Sequence, residues 1–166
     1  MIAQWRWRQA FIPQIKGVSG YFDSASGGTV KIIGVTNTDT NYNGAYNAAG
    51  GKAYFAETNE IVTVEAAAKE GYEFEGWYDK NGQLLTSKKT YSFTATKESV
   101  NTYYARFTRE VTQTFVRQVE VGESWEETTD DSIGTLNSYT HTDVVGETAS
   151  STATAGEGYE FVGWYD

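Results

Sequence analysis

The sequence predicts a mostly β fold, with tandem small β modules (β-grasp-like or compact sandwich) and little helix. Three observations predict it. Apolar and aromatic residues alternate with polar ones over several short stretches, the signal of a half-buried strand. Helix-forming sequence is confined to residues 64–71 (VEAAAKEG), too short to stand alone. One nine-residue motif occurs twice, 87 positions apart.

Each element follows from its residues. Residues 29–35 form a short apolar strand after Gly27-Gly28. Residues 61–68 place Val62, Val64, Ala66 and Ala68 on one face. Tyr72 and Phe74 open the next strand, which runs to Tyr78. Gly76 shifts its parity, and a bulge there lets Phe74 and Trp77 reach one core. Asn81-Gly82 then predicts a tight type I′ hairpin into 83–85. Tyr91, Phe93 and Ala95 alternate with Thr90, Ser92 and Thr94, and Tyr103, Ala105 and Phe107 with Tyr104 and Arg106. Residues 112–121 (TQTFVRQVEV) set Phe115 and the valines at strand spacing. Residues 17–28 and 36–51, rich in Asn, Gly, Ser and Thr, read as loops.

Composition narrows the function. The chain has 166 residues, a net charge of −9, no cysteine, one proline and one histidine. Without cysteine there is no disulfide framework, zinc finger or thiol nucleophile. A single histidine removes most imidazole-based acid–base and metal sets. The acidic balance argues against nucleic acid and anionic membrane as partners. It is unevenly spread: residues 1–109 carry net +2 and residues 110–166 net −11, with Arg117 the one basic residue. Two modules with different surfaces are expected. No apolar run approaches a membrane span, and residues 1–8 lack the apolar core of a signal peptide.

The repeat organises the chain. Gly71-Tyr-Glu-Phe-Glu-Gly-Trp-Tyr-Asp79 returns as Gly158-Tyr-Glu-Phe-Val-Gly-Trp-Tyr-Asp166, identical at eight of nine positions. Upstream, Ala66, Ala68 and Glu70 correspond to Ala153, Ala155 and Glu157. A period this long implies small domains strung as beads. The expected division is residues 1–19 as an N-terminal segment, 20–110 as a first module and 111–166 as a second. Residues 1–19 would be the last strand of a preceding repeat. The second module would be truncated, with an open sheet edge. Residues 122–147 read as its counterpart of the loop at 36–60.

The run Gly27-Gly-Thr-Val30, Val62-Thr-Val-Glu-Ala-Ala-Ala-Lys-Glu-Gly-Tyr-Glu-Phe-Glu-Gly-Trp77, Asn81-Gly82, Tyr91-Ser-Phe93 and Tyr104-Ala-Arg-Phe107 resembles the divergent internalin B-type B-repeat. The resemblance covers roughly residues 27–108 and, less completely, 112–166. The second copy lacks the Gly-Gly-Thr-Val opening. The resemblance implies an all-β or β-grasp-like module, usually repeated, in bacterial surface and wall-bound proteins. It carries no catalytic residues.

Candidate sites are few. Gly71, Tyr72, Phe74, Gly76, Trp77, Tyr91, Phe93 and Phe107 read as a structural core, as do Gly158, Tyr159, Phe161, Gly163 and Trp164, because large aromatics dominate small cores. Asp39, Asn41 and Asn43 match the first half of a calcium loop, yet Gly50 stands where its bidentate Glu belongs. An Asn/Gly turn is the expectation there. Glu126, Glu127, Asp130 and Asp131 read as a solvated acidic run and His141 as a surface residue. Trp5-Arg-Trp7-Arg8 reads as an N-terminal strand. No cofactor is expected. The expected function is a non-catalytic extracellular spacer or adhesive stalk, located at the bacterial cell surface. Its partners would be neighbouring repeats, with glycan or host protein reached through other domains. The alternative is a carbohydrate- or host-protein-binding module using Tyr42, Tyr46, Tyr54 and Phe55, since clustered loop tyrosines suit recognition.

Overall fold

A computed structural model describes residues 6–36, 44–96 and 101–166. The chain divides into two compact units, Met1–Arg109 and Glu110–Asp166. The described residues contain strands and turns and no helix.

The described residues of the first unit form ten strands: β1 (Trp7–Gly17), β2 (Gly20–Asp23), β3 (Gly28–Val35), β4 (Gly44–Ala45), β5 (Lys52–Ala56), β6 (Ile61–Ala68), β7 (Glu73–Asp79), β8 (Leu84–Thr86), β9 (Thr90–Thr94) and β10 (Thr102–Thr108). They form two sheets, one ordered β4-β5-β1-β10-β7-β8 with β2 also paired to β1, the other β3-β6-β9. The inner faces meet in one core, so the architecture is the sandwich of the two expected. The larger sheet contributes Phe11, Ile15, Trp77, Tyr103 and Phe107, and the smaller contributes Val30, Ile32, Val62 and Val64. Pairing with β3 overrides the helical propensity of VEAAAKEG over 64–68, because Val64 and Ala66 need the strand period to face the core while Glu65 and Ala67 face out.

Four expectations change here. Residues 1–19 are not a segment apart: β1 is an interior strand of the first unit, antiparallel to β5 and β2 on one edge and parallel to β10 on the other. The stretch 17–28 is not a plain loop. It holds β2, because Gly20 at φ 117° closes a tight hairpin that pairs Gln14 with Asp23 and Lys16 with Tyr21. Likewise, 36–51 includes β4, which pairs with β5. The turn after β7 is not type I′. Asp79 and Gln83 pair around a three-residue loop, and Gly82 takes φ 79° while Asn81 stays at negative φ. The Asp79 carboxylate selects this form by accepting the amides of Asn81 and Gln83, both at 2.8 Å.

The expected bulge is present. Arg106 pairs with Gly76 and Phe107 with Phe74, so Glu75 is the extra residue. Phe74 and Trp77 therefore point the same way, with ring centroids 6.2 Å apart.

Three pairings of the first unit recur in the second. Its strands are β11 (Glu110–Thr114), β12 (Gln118–Val121), β13 (Ser124–Glu127), β14 (Gly134–Leu136), β15 (Thr140–Val144) and β16 (Ala153–Ala155). Gln9 opposite Tyr54 becomes Gln113 opposite His141, 104 and 87 residues on. Gln14 opposite Asp23 becomes Gln118 opposite Glu127, both 104 residues on. Gly28 opposite Ala68 becomes Gly134 opposite Ala155. Gly134-Thr135-Leu136 thus takes the place of Gly28-Thr29-Val30, the opening that the sequence comparison misses because the loop lengths differ. The stretch 122–147 is accordingly not one loop: it contains β13, β14 and β15. The single strand expected over 112–121 is broken in two, between β11 and β12, at residues 115–117.

Burying Phe74 and Trp77 contributes about 2–3 kcal/mol each. Trp77 is fully buried, and its indole Nε1 donates to the Lys89 carbonyl at 3.0 Å. Trp77→Ala is therefore expected to destabilise the first unit by about 3–5 kcal/mol. A denaturant melt matching the parent would remove Trp77 from the core.

Candidate functional site

The motif in the first unit is a packing device. Gly71 turns the chain at φ 77° into β7. Phe74 and Trp77 meet Phe107 and Phe11 at centroid distances of 5.6 and 6.3 Å. Phe11 stacks on Tyr103 at 5.3 Å, and Phe93 lies 4.5 Å from Tyr103 and 5.6 Å from Tyr91. One continuous aromatic network thus joins β1, β7, β9 and β10. Gly28 makes room for it, because a Cβ there would lie 2.3 Å from the Phe107 ring. Tyr72 packs on the edge of this core, with the Arg109 guanidinium over its ring.

The second copy is built differently. Gly158 and Gly163 keep the backbone of Gly71 and Gly76, with φ of 82° against 77° and 158° against 156°. The ring pairs recur, Phe161 with Trp164 at 5.5 Å and Phe115 with Trp164 at 5.6 Å. Yet Trp164 is 48% exposed where Trp77 is 0%. The expectation of a buried core at Tyr159, Phe161 and Trp164 is corrected. No part of residues 110–166 takes the place of β8, β9 or β10, and no residue of that unit is buried.

Among the described residues the three loop aromatics Tyr46, Tyr54 and Phe55 do not all lie on one open surface. Tyr54 is corrected to a core residue, 4% exposed, whose hydroxyl donates to Glu60 at 2.6 Å. Phe55, next along β5, faces outward and is 55% exposed. Tyr46 is half-buried with the Arg8 guanidinium over its ring. Tyr42, the calcium candidates Asp39, Asn41 and Asn43, and Trp5 lie outside the described residues.

A different aromatic surface was missed from sequence. On the outer face of the large sheet, the Arg106 guanidinium sits 4.2 Å from the ring centres of both Tyr21 and Tyr78. The Tyr21 hydroxyl donates to Glu75, and Tyr104 lies opposite Tyr78. The signal was the same alternation that marks the core: Tyr78, Tyr104 and Arg106 have the parity opposite to Trp77, Tyr103 and Phe107. This face satisfies its own cation and hydroxyl.

The acidic groups are tied up locally. The Asp130 carboxylate accepts the Ser132 amide at 2.9 Å, which holds it below the usual carboxylate range. Asp131 pairs with Arg117 and Asp143 with His141, each at 2.8 Å. Glu126 and Glu127 are exposed on β13. Among the described residues no three acidic or imidazole groups cluster as a metal site would need.

Against known proteins, the family description that matches is the divergent InlB B-repeat domain, over residues 35–111 and 127–166. No curated protein and no solved structure shows a significant match.

Burial raises the Tyr103 and Tyr21 hydroxyls above the ordinary value of 10.0, Tyr21 further through its bond to Glu75. Tyr91 and Tyr104 are raised the same way. Below pH 10 all are neutral whether folded or not. Above it the unfolded chain ionises first, so stability falls as pH rises beyond about 10. The denaturation midpoint of the first unit should hold to about pH 9 and then decline, and Tyr103→Phe should lessen the decline. An unchanged midpoint up to about pH 11.5 would refute this.

Proposed function

Since the chain belongs to the divergent InlB B-repeat family, we propose that its units are non-catalytic modules of a bacterial surface protein, forming a spacer or adhesive stalk. One observation carries this reading, the parallel pairing of β1 with β10. These are the first and last strands of the first unit, and they run side by side from Ala10 opposite Thr102 to Ile15 opposite Phe107. Because they are parallel, the start of β1 and the end of β10 lie at opposite ends of the ladder. Tension through the chain then pulls the two strands past each other along their length. All the ladder hydrogen bonds resist together, rather than opening one at a time. The aromatic network behind the pair locks the same two strands by side-chain packing. A module that resists tension this way suits a stalk between a wall and a distal binding domain. The acidic second unit keeps such a stalk solvated and self-repelling.

Single-molecule extension tests the reading. With no native cysteine, handles can be placed at will. Handles at Arg6→Cys and Arg109→Cys load the pair in shear, and handles at Val18→Cys and Arg109→Cys peel it open from one end. The shear geometry should give one unfolding event of about 350 Å, from roughly 3.5 Å per residue. Its force should be well above that of the peeling geometry. Equal forces in the two geometries, or a gradual extension, would refute the mechanical role.

A further inference from the structure

The outer face of the large sheet carries a closed ring of side-chain contacts. Tyr21 stands on β2 and Glu75 on β7, and the strands between them are β1 and β10. Three ladders separate the two backbones, about 14 Å at roughly 4.8 Å for each ladder. The Tyr21 hydroxyl nevertheless donates to the Glu75 carboxylate. The two side chains therefore lie across β1 and β10. The Arg106 guanidinium packs with them, 4.2 Å from the ring centres of both Tyr21 and Tyr78. Arg106 Nε donates to Gln14 at 3.4 Å, and Gln14 donates to Asp23 at 3.0 Å. The ring thus runs from β2 through β1 and β10 to β7, and returns to β2 through Tyr21.

The second repeat gives an independent comparison at the same two positions. Within the nine-residue motif the sole difference is Glu75 against Val162. Tyr21 lies opposite Lys16, and 104 residues on, Trp125 lies opposite Glu120. The hydroxyl and the carboxylate that meet in the first unit are thus replaced together, by Trp125 and Val162. The neighbouring tie is kept in kind, since Gln14 opposite Asp23 becomes Gln118 opposite Glu127. Joint replacement is what a contact between two positions demands, because a single change leaves one polar group without its partner.

We propose that Tyr21 and Glu75 form a strap that fastens β2 across the β1–β10 pair and holds that pair closed. Among the described residues β2 has four residues and pairs with β1 alone. Its ladder therefore ties it to one side of the pair only, and the bond to Glu75 ties it to the far side. Tyr21 and Arg106 then cover the outer side of β1 and β10, whose inner side the aromatic network holds. Separating β1 from β10 requires Tyr21 to leave Glu75 first. The strap position takes a polar pair in one repeat and an apolar pair in the other, so its strength is set repeat by repeat.

Amide exchange in the full chain tests the strap, read at β1, β2 and β10 and, for reference, at β6 of the other sheet. Tyr21→Phe and Glu75→Gln should each speed exchange of β2 and of the β1–β10 ladder by about fivefold and leave β6 unchanged. The double variant should be no faster than the quicker single one, because both changes remove the same contact. Glu75→Val should also be fast, and Tyr21→Trp added to it should slow exchange again. No acceleration, equal acceleration at β6, a double effect equal to the product of the single ones, or no rescue by Tyr21→Trp would overturn the proposal. One consequence rests on the stalk reading: Tyr21→Phe should lower the unfolding force between handles at Arg6→Cys and Arg109→Cys. An unchanged force in a chain that resists shear would also overturn the strap. Equal shear and peeling forces in the parent chain would instead remove the stalk reading, and exchange alone would then decide the strap.

Discussion

The seat of β10 governs the first unit. This strand is hydrogen-bonded on both edges, and its inward residues Tyr103, Ala105 and Phe107 close the core over Phe11, Phe74 and Trp77. Other features make sense as conditions for seating it. The bulge at Glu75 turns Phe74 and Trp77 toward the same side, and Gly28 leaves space for the Phe107 ring. The outward residues of the same strand follow from the inward ones, since Arg106 can reach Tyr21 and Tyr78 only when Ala105 and Phe107 point in.

The second unit acts as a natural comparison. It shares the hairpin, the glycine turns, the ring pairs and three strand pairings, yet none of its residues is buried. Local geometry is therefore established by near neighbours along the chain and across short ladders. In the first unit, burial of Trp77 and Phe74 comes with β10, whose Ala105 and Phe107 lie opposite them. A nearly neutral surface accompanies the closed unit, and the net charge of −11 lies on the open one.

The family match begins at residue 35, inside the first unit and after β1 and β2. The fold nevertheless depends on β1, because β5 and β10 have no other strand between them. A B-repeat in this chain is thus a larger structural unit than its recognisable pattern. The same holds for the stalk reading, which rests on β1 and β10 together.

The alternation of residues determined most strands and which of their faces is apolar. Val62, Val64 and Ala66, or Tyr103, Ala105 and Phe107, can face one core only at period two. Gly76 between Phe74 and Trp77 was enough to place the bulge, since parity must change within one strand. Two copies of one motif showed that the chain is repetitive. Tertiary structure alone decided the rest, because strand pairing joins residues far apart and leaves no local signature. It put β1 beside β10, across some ninety residues of sequence (Ala10 with Thr102). It drew Tyr54 inward to Glu60 while its neighbour Phe55 stayed out. It also decided that Trp77 and Phe74 of the motif are covered, by Ala105 and Phe107 of β10, some thirty residues further along the chain. The motif's own residues do not encode that partner, because the pairing joins two strands that are distant in sequence.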